Sequence, residues 1–488
     1  MHIRNIIKTM AFICILTILF QYVQKVMIFK TLNYWADIAT VQDLYKLEKN
    51  SIDVVNIGGS NALTSFAPME LYENYGISAY NLGTTYQPVF ISYYLLEELL
   101  KYQSPKVLFF DITNSYYINT PEFSYRQTID NMRWSSTKIS AITEHVKHPE
   151  AASLVSYFFP IAQYHSNWKT FSQKDFLLYN EDVDDLYSMG YYMWPGMGDI
   201  EYSGTIRDES QYHDFDNDGV PYFSMILELC ENNDIDVILY NTPRDWWDQS
   251  QSNFFIKKAE QIGIPYFDFN YQNILQEIDY QFPLDHADRA HPNVRGAVKI
   301  TGYFGRYLNE NYVLPDHRGD INYSFLEEEL QDYNCKKENQ LLLLQTDLSS
   351  YLDFVKNSHY TVFISVKDEA SSGLNEELMN KLFNLGIQSD LRDKYQYSFI
   401  AVCENGVALH EEISKEKIEF AGVFSDETPI YMMSAGYVAG DDCSIKIANQ
   451  ECAKNMRGLN IVVYDNVTNK IVDKVNFDTY EENSVAVR

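Results

Sequence analysis

Basic residues are scarce in this chain, and the scarcity excludes one class of partner. The 488 residues include 38 Lys and Arg against 68 Asp and Glu, which gives a formal net charge of −30. Nucleic-acid binding needs a basic surface that neutralises phosphates, so we expect no nucleic-acid partner. The length is too great for one typical domain and indicates two or three.

Long hydrophobic runs are lacking except near the N-terminus. The run Met10–Phe20 is short for a bilayer span, and residues 21–23 extend it toward the interface. No small-residue cleavage site follows, which argues against a cleaved signal peptide. We therefore interpret residues 1–30 as an uncleaved signal anchor. Arg4 and Lys8 precede the run and predict a single-pass cell-membrane protein with a cytoplasmic N-terminus and an extracellular catalytic domain.

Cysteines are few, and the predicted topology places Cys14 in the membrane and an odd number outside it. An odd number leaves at least one cysteine without a partner in the same chain. Cys230 lies in a helical apolar pattern and is expected to be a small buried hydrophobe. Cys443 and Cys452 are close in sequence and form the best disulfide candidate, although the sequence does not fix the connectivity.

A complete metal motif is also missing. Asp214, Asp216 and Asp218 match the first half of a calcium-binding loop, but the twelfth position is Met225 instead of the bidentate glutamate. Asp218 is equally well placed to cap the helix that follows. We predict no metal site and no cofactor, and calcium binding by this loop stays open.

Strand-like apolar runs alternate with helical runs in the first part of the chain. The strand-like runs cover residues 53–57, 78–82, 107–112, 236–240 and 265–269. This alternation favours a parallel sheet covered by helices on both faces, with functional groups at the carboxyl ends of the strands. Residues 115–215 interrupt it and are predicted to form an aromatic-rich, largely helical insertion.

Three side chains are candidates for substrate contact. Trp194 in the insertion could line an acceptor groove, and packing in the core is the alternative. Arg244 and Trp246 follow the fourth strand-like run, where Arg244 could meet an anionic or carbonyl group of a substrate.

Ser60 follows an apolar strand and the glycines Gly58 and Gly59, and it precedes a helix-like segment. A nucleophilic serine needs an adjacent base and donors aimed at the oxyanion. The glycines allow a sharp turn that places the Ser60 N–H at a helix start, where negative charge is favoured. Asp288 and His291 are three residues apart, so the carboxylate can fix the imidazole tautomer while the other ring nitrogen faces the serine. A plain turn and a solvated surface pair are the alternatives.

The order of these motifs resembles the SGNH/GDSL hydrolase superfamily, and more narrowly its membrane-anchored, DltD-like and polysaccharide O-acyltransferase-like branch. The order consists of G-x-S after a strand, Asn81-Leu82-Gly83 after the next strand, and D-x-x-H before a terminal helix. The resemblance covers about residues 40–312. It implies a three-layer α/β/α SGNH-type domain with a parallel sheet over residues 31–312.

The resemblance also implies roles for individual residues. Ser60 matches the nucleophile, Asp288 and His291 match the other triad members, and the Gly83 N–H matches a donor of the oxyanion hole. The nearest candidate for the family's asparagine donor is Asn114, which can equally be a turn residue. The residue before the serine is glycine instead of the aspartate of the GDS form, which argues against a generic lipase or esterase.

The C-terminal part of the chain has a different pattern. Residues 313–340 contain Pro315, Gly319 and an acidic run and are predicted to be a linker. Residues 341–488 are rich in short strands and resemble the interleukin-like EMT inducer (ILEI)/PANDER domain, including a helix at Asn375–Leu385 that ends at Gly386. The resemblance implies a compact, sandwich-like, β-rich α+β domain that binds carbohydrate, and a plain structural role is the alternative.

Together these features predict an extracytoplasmic serine enzyme without a cofactor. We expect it to transfer an acyl group, acetyl in particular, to a cell-envelope polysaccharide or to remove it, through an acyl-enzyme on Ser60. The expected partners are a cell-surface polysaccharide, the membrane and a membrane acyl-donor protein. The sequence does not distinguish an O-acyltransferase from a carbohydrate esterase. The alternative is a non-catalytic polysaccharide-binding or envelope-assembly protein that retains the fold.

Overall fold

The structure is a computed structural model that describes residues 2–31, 35–114, 122–147, 153–178, 185–198, 220–244, 247–357, 359–424, 427–481 and 484–488. The chain divides into two compact units, Met1–Lys336 and Lys337–Arg488. The first is a mixed α/β unit and the second is rich in strands. This division confirms the mixed α/β class and the separate β-rich part.

The first unit is built on a parallel sheet of five strands. The strands are β1 (Val54–Gly58), β2 (Ala79–Gly83), β3 (Val107–Asp111), β6 (Asp236–Asn241) and β7 (Tyr266–Asp268), and their order in the sheet is β2-β1-β3-β6-β7. All five predicted strand-like runs are therefore confirmed, within one residue at each end. The register aligns Gly58 with Gly83, so the ends of β1 and β2 lie side by side.

The two faces of this sheet carry separate hydrophobic cores, because side chains alternate along each strand. Val55 and Ile57 pack on one face, and Val54 on the other. Helices cover both faces and so give three layers. The first face packs against Val89–Leu99, Ser136–His145, Val220–Glu231 and Gln249–Ile262, and the second against Pro68–Tyr75, Gln272–Glu277 and Val294–Asn311.

The predicted insertion is largely helical in its described residues. Its α-helices are Glu122–Ile129, Ser136–His145, Leu154–Phe158 and Ile161–Tyr164, followed by 3-10 turns at His165–Thr170 and Lys174–Leu177. A two-stranded hairpin, β4 (Tyr187–Ser188) with β5 (Tyr191–Tyr192), then leads to Trp194. The hairpin contacts the main sheet, because the Asn81 N–H donates to the Met189 carbonyl at 3.0 Å.

The segment 313–340, predicted to be a linker, instead contains most of a long helix, Ser324–Leu343. Leu326 and Tyr333 are buried in the core of the first unit, with Leu330 packed beside them. These residues recur at intervals of four and three, which places them on one helix face. The Tyr333 hydroxyl donates to Glu70 at 2.8 Å. The start of this helix is therefore an integral part of the first unit.

The second unit is an α+β arrangement around a nine-stranded, mainly antiparallel sheet. Its central strand β8 (Tyr360–Asp368) buries Val362 and Ile364 against one core and Phe363 against another. The first core is covered by the helices Leu348–Val355 and Glu376–Asn384, and the second by strands. The remaining strands are β9 (Ser398–Glu404), β10 (Val407–Ser414), β11 (Ile418–Phe424), β12 (Thr428–Gly436), β13 (Asp442–Ile447), β14 (Gln450–Glu451), β15 (Gly458–Asp465) and β16 (Lys470–Phe477).

Two local predictions in the second unit have different outcomes. The helix predicted to end at Gly386 is present, with Asn375 as its N-cap accepting from the Leu378 N–H at 2.9 Å. The Cys443–Cys452 disulfide is absent, since both thiols are free. The Cys452 N–H donates to the Ile445 carbonyl, so Cys452 lies opposite Ile445, two strand positions (about 6–7 Å) beyond Cys443.

The N-terminal helix His2–Thr31 includes one stretch, Arg4–Ile28, that is long and apolar enough to cross a membrane. A signal sequence would pass the same test. The helix side chains from Arg4 to Val23 are exposed, whereas Gln24, Val26 and Met27 are buried in the first unit.

Candidate active site

Ser60 lies at the carboxyl edge of the parallel sheet, at the first position of the short helix Ser60–Ser65. Strand β1 ends at Gly58, whose φ of 154° is rarely adopted by residues with a side chain. A Cβ atom at Gly58 would lie 2.6 Å from the Cβ of Asp111. Glycine is therefore required here by both backbone conformation and space, and the resulting turn presents the half-buried Ser60 hydroxyl at the sheet edge.

The structure brings the three predicted triad residues into one hydrogen-bonded chain. His291 Nε2 is 2.9 Å from Ser60 Oγ, although the two residues are 231 positions apart. His291 Nδ1 is 2.9 Å from Asp288 Oδ1 and 2.8 Å from Oδ2. Since Asp288 can only accept when ionised, Nδ1 carries the proton and Nε2 is free to accept from the serine. This is the geometry that a general base needs.

The Asp288 carboxylate is held by the loop that carries it. Its Oδ1 accepts the backbone N–H groups of Ala290 at 2.8 Å and His291 at 2.9 Å. Burial raises the pKa of Asp288, but the hydrogen bond and charge of His291 and these two backbone donors outweigh it and lower the pKa from 3.8 to about 2. Asp288 is therefore ionised at neutral pH, and its negative charge stabilises the imidazolium that forms when His291 takes the serine proton.

Asn61 connects the serine helix to the histidine loop. The sequence analysis does not predict this connection. Its buried Nδ2 donates to the Ala290 carbonyl at 2.6 Å and to Thr242 Oγ1 at 2.9 Å. Ala290 directly precedes His291, so this bond fixes the distance between the hydroxyl and the imidazole. The only sequence signal was a polar residue at the second position of a buried helix.

A buried amide at Asn81 holds the serine helix from below. Its Nδ2 donates to the carbonyls of Ala62 at 2.7 Å and Phe66 at 2.9 Å. Its Oδ1 accepts the Gly83 N–H at 3.0 Å. This N–H is thus already paired, and the predicted oxyanion role of Gly83 finds no support in its hydrogen bonding. A Cβ at Gly83 would lie 2.6 Å from the Leu63 backbone nitrogen, so glycine is needed for close packing against the helix.

Trp194 lies beside the triad histidine. Its ring stacks on the His291 imidazole with centroids 4.7 Å apart and planes inclined by 22°. The ring is half-buried. An aromatic face against the imidazole fixes the plane of the ring. By contrast, Tyr191 and Met193 of the same segment are core residues.

Arg244 is also near the sheet edge, but it points inward. Its side chain is buried, and one guanidinium nitrogen donates to Thr113 Oγ1 at 3.2 Å. Burial raises the pKa of the neighbouring Asp111, and the Arg244 charge and two Thr113 hydrogen bonds partly offset this rise. Arg244 therefore belongs to a buried polar cluster behind the serine turn. Its contact with a substrate stays a prediction.

His286 and Asp285, two further titratable residues before the triad aspartate, have structural roles. His286 is buried against Phe282 and contacts the Asp288 carbonyl through Nδ1 at 3.0 Å. Burial lowers its pKa from 6.5 to about 4, so it is neutral at pH 7. Asp285 accepts from Lys299 at 2.7 Å and anchors the start of the terminal helix.

Several predicted positions cannot be compared in full. The backbone of Asn114 lies in the 3-10 turn Ile112–Asn114, but its side chain is outside the described structure. Trp246 and the candidate calcium loop with Asp214, Asp216 and Asp218 also lie outside the described residues. Their roles remain predictions.

Comparisons with known proteins add little to this geometry. No family model matches the chain, and no curated protein matches it. Among solved structures, the chain is similar to a "putative acylhydrolase" from Bacteroides fragilis NCTC 9343, with 14% sequence identity and a TM-score of 0.29. The match covers 55% of this chain and 94% of that chain. Because similarity this low does not transfer function, the chemistry of the site rests on its own atoms: a Ser–His–Asp chain at the carboxyl edge of a parallel sheet.

Proposed function

We propose that the first unit is a serine acyl-transfer enzyme of SGNH type. The observation that carries the proposal is the continuous hydrogen-bonded chain from Ser60 Oγ through His291 to Asp288. The oriented base activates a hydroxyl that is otherwise a poor nucleophile. Proximity of the same groups to a bound ester adds to the rate enhancement.

The proposed reaction has two balanced halves. Ser60 Oγ attacks the acyl carbon while His291 Nε2 takes its proton, and the tetrahedral intermediate expels the alcohol, which receives that proton from His291. The acyl-enzyme is then attacked by an acceptor hydroxyl, whose proton passes to His291 and finally to the Ser60 oxygen as it leaves. Water as acceptor makes the enzyme an esterase, and a sugar hydroxyl makes it an O-acyltransferase. The Ser60 N–H at the helix start is the oxyanion donor that this proposal retains.

We propose a cell-envelope polysaccharide as the acceptor or substrate and acetyl as the acyl group. Support comes from Trp194 beside the base, since an aromatic face suits a sugar ring, and from the apolar N-terminal helix. In this proposal the helix anchors the protein in the cell membrane, with a cytoplasmic N-terminus, near a membrane acyl-donor protein. Mass spectrometry of envelope glycans from a deletion strain would identify the acyl group and the sugar. Unchanged acylation would contradict this substrate.

We propose that the second unit is an ILEI/PANDER-like carbohydrate-binding module. Its support is the compact β-rich α+β architecture and the presence of the predicted helix before Gly386. The full chain and a chain ending at Leu343 would be compared on an array of bacterial glycans. Loss of glycan binding only in the shorter chain supports the module, and equal binding would assign the second unit a spacer role.

A fluorophosphonate probe tests the catalytic proposal, because it reacts with activated serines. We expect labelling of the wild type and loss of labelling in Ser60→Ala and His291→Ala. Ser65→Ala is a matched control in the same helix, away from the histidine. A folded wild type without labelling would favour the alternative of a non-catalytic polysaccharide-binding or envelope-assembly protein.

A further inference from the structure

The first unit carries an exposed apolar surface around the base of the N-terminal helix. It consists of six side chains from the insertion, each between 47% and 72% exposed: Leu154, Val155, Phe158, Phe159, Trp168 and Leu177. We call this surface the apolar collar. A soluble face would rarely expose so many large apolar side chains from one short segment.

The collar is fixed to the N-terminal helix by direct contacts. The ring of Phe159 lies 6.5 Å from that of Phe20. The Asn167 Nδ2 donates to the Met27 carbonyl at 3.0 Å, and the Tyr22 hydroxyl donates to the Phe176 carbonyl. These contacts span residues 20–27 of the helix, so the collar cannot sit far from the end of the apolar run.

Helix geometry then places the collar at bilayer depth if the helix spans a membrane. Phe20 follows Arg4, the first residue of the candidate span, by sixteen residues, or about 24 Å at 1.5 Å per residue. The hydrocarbon core is about 30 Å thick. Phe20 and the Phe159 ring against it therefore lie inside the edge of the hydrocarbon layer. If the hydrocarbon layer began at a later residue than Arg4, both rings would lie deeper in it.

The charges beside the collar suit lipid headgroups. A cavity of about 530 Å³ is lined by Trp134 and Phe158 together with Lys25, Lys46, Arg133 and Lys138, and by one carboxylate, Asp130. Lys25 and Arg133 are exposed, whereas Lys46 is paired with Asp43 at 2.6 Å and Lys138 is buried. Aromatic rings and basic side chains together are typical of the membrane–water interface.

We propose that the apolar collar is a second membrane-contacting surface, which inserts into the outer edge of the same bilayer that the N-terminal helix crosses. The helix alone would leave the unit free to turn about the helix axis and to tilt with the helix in the bilayer. Two contacts fix the orientation of the first unit on the membrane, as in interfacial membrane proteins. This inference rests on the proposed anchor and adds to it a defined surface.

Tryptophan quenching by brominated lipids tests the collar in the full chain. The protein would be reconstituted in phosphatidylcholine vesicles with and without bromine on the acyl chains, at a high lipid-to-protein ratio. We expect Trp168→Phe to lose part of the lipid-quenched emission seen in the wild type. Trp194→Phe, which removes the ring stacked on His291, is the matched control and should leave the lipid-quenched emission unchanged.

The opposite results would overturn the proposal. If the emission lost in Trp168→Phe is quenched by aqueous acrylamide and not by bromolipid, the collar faces water. If neither quencher reaches it, the collar is covered by protein, such as a second copy of the chain. Retention of the chain in vesicles after a carbonate wash reports on the anchor separately, so failure of the anchor and failure of the collar are distinguishable.

Discussion

Replacement of Asp288 by Asn is expected to inactivate the site while preserving its loop. The Asn Oδ1 can still accept the N–H groups of Ala290 and His291, which Asp288 Oδ1 now accepts at 2.8 and 2.9 Å. The new Nδ2, however, is a donor and faces His291 Nδ1. The donor at the Oδ2 position favours the tautomer in which Nδ1 accepts and Nε2 carries the proton, and that Nε2 can no longer accept from Ser60.

The expected loss in kcat is therefore that of the general base, about 100- to 10,000-fold, or about 3–5 kcal/mol of transition-state stabilisation. Folding should change much less. The lowering of the Asp288 pKa to about 2 corresponds to about 2 kcal/mol by linkage. The Asp288 side chain is 42% exposed, and solvent screening reduces this to about 1 kcal/mol. This contribution is present above pH 3.8 and is lost as the pH falls toward about 2.

Hydrolysis of p-nitrophenyl acetate and urea unfolding measure the two effects separately. Asp279→Asn is the matched control, since this carboxylate lies on the same segment but is 84% exposed. A kcat for Asp288→Asn within about threefold of the wild type, with the fold intact, would refute the assignment of Asp288 as the residue that orients the base.

Three further substitutions test the framework around the serine. Gly58→Ala should destabilise the protein by about 1–3 kcal/mol in urea unfolding, because of the positive φ and the 2.6 Å approach to Asp111. Gly302→Ala is the control and should not destabilise it, because nothing lies within 4 Å of the added Cβ. Equal effects of the two substitutions would contradict the role given to Gly58. Asn61→Ala should lower esterase kcat roughly 10- to 100-fold by releasing the Ala290 carbonyl, whereas unchanged kcat would show that the histidine loop is positioned without it. The buried His286, whose pKa is lowered from 6.5 to about 4, should make the protein less stable by about 3 kcal/mol as pH falls from 6.5 to 4, since only the unfolded chain takes up the proton. His286→Asn keeps a donor near the Nδ1 position and should flatten that pH dependence in unfolding experiments, and an unchanged slope would assign the effect to another group.

The sheet could be predicted because its signals are local. Each buried parallel strand is a short apolar run, and β1 and β2 both end at a glycine. The short edge strand Tyr266–Asp268 also lies within its predicted run. The serine, histidine and aspartate could be predicted for a related reason. Ser60 begins a helix directly after a strand, and Asp288 and His291 lie three residues apart in the loop before the terminal helix.

The remaining features depend on contacts between distant segments. Asn61 donates to the Ala290 carbonyl, 229 positions away in the sequence, and no local sequence pattern predicts that hydrogen bond. The pairing of the Gly83 N–H with Asn81 depends on how one side chain folds back along its own strand. The sequence predicts a linker where the helix Ser324–Leu343 forms, because the few apolar residues there stand among acidic ones. The helix is stabilised by packing of Leu326 and Tyr333 in the core.

Trapping of an acyl group on Ser60 tests the central claim most directly. The full chain would be mixed with p-nitrophenyl acetate, quenched in acid within one turnover and digested for peptide mass spectrometry. We expect acetylation of the Ser60 hydroxyl in the wild type, accumulation of this species when acceptor is scarce, and its absence in His291→Ala. Release of p-nitrophenol without any acetyl group on Ser60 would contradict the proposed acyl-enzyme.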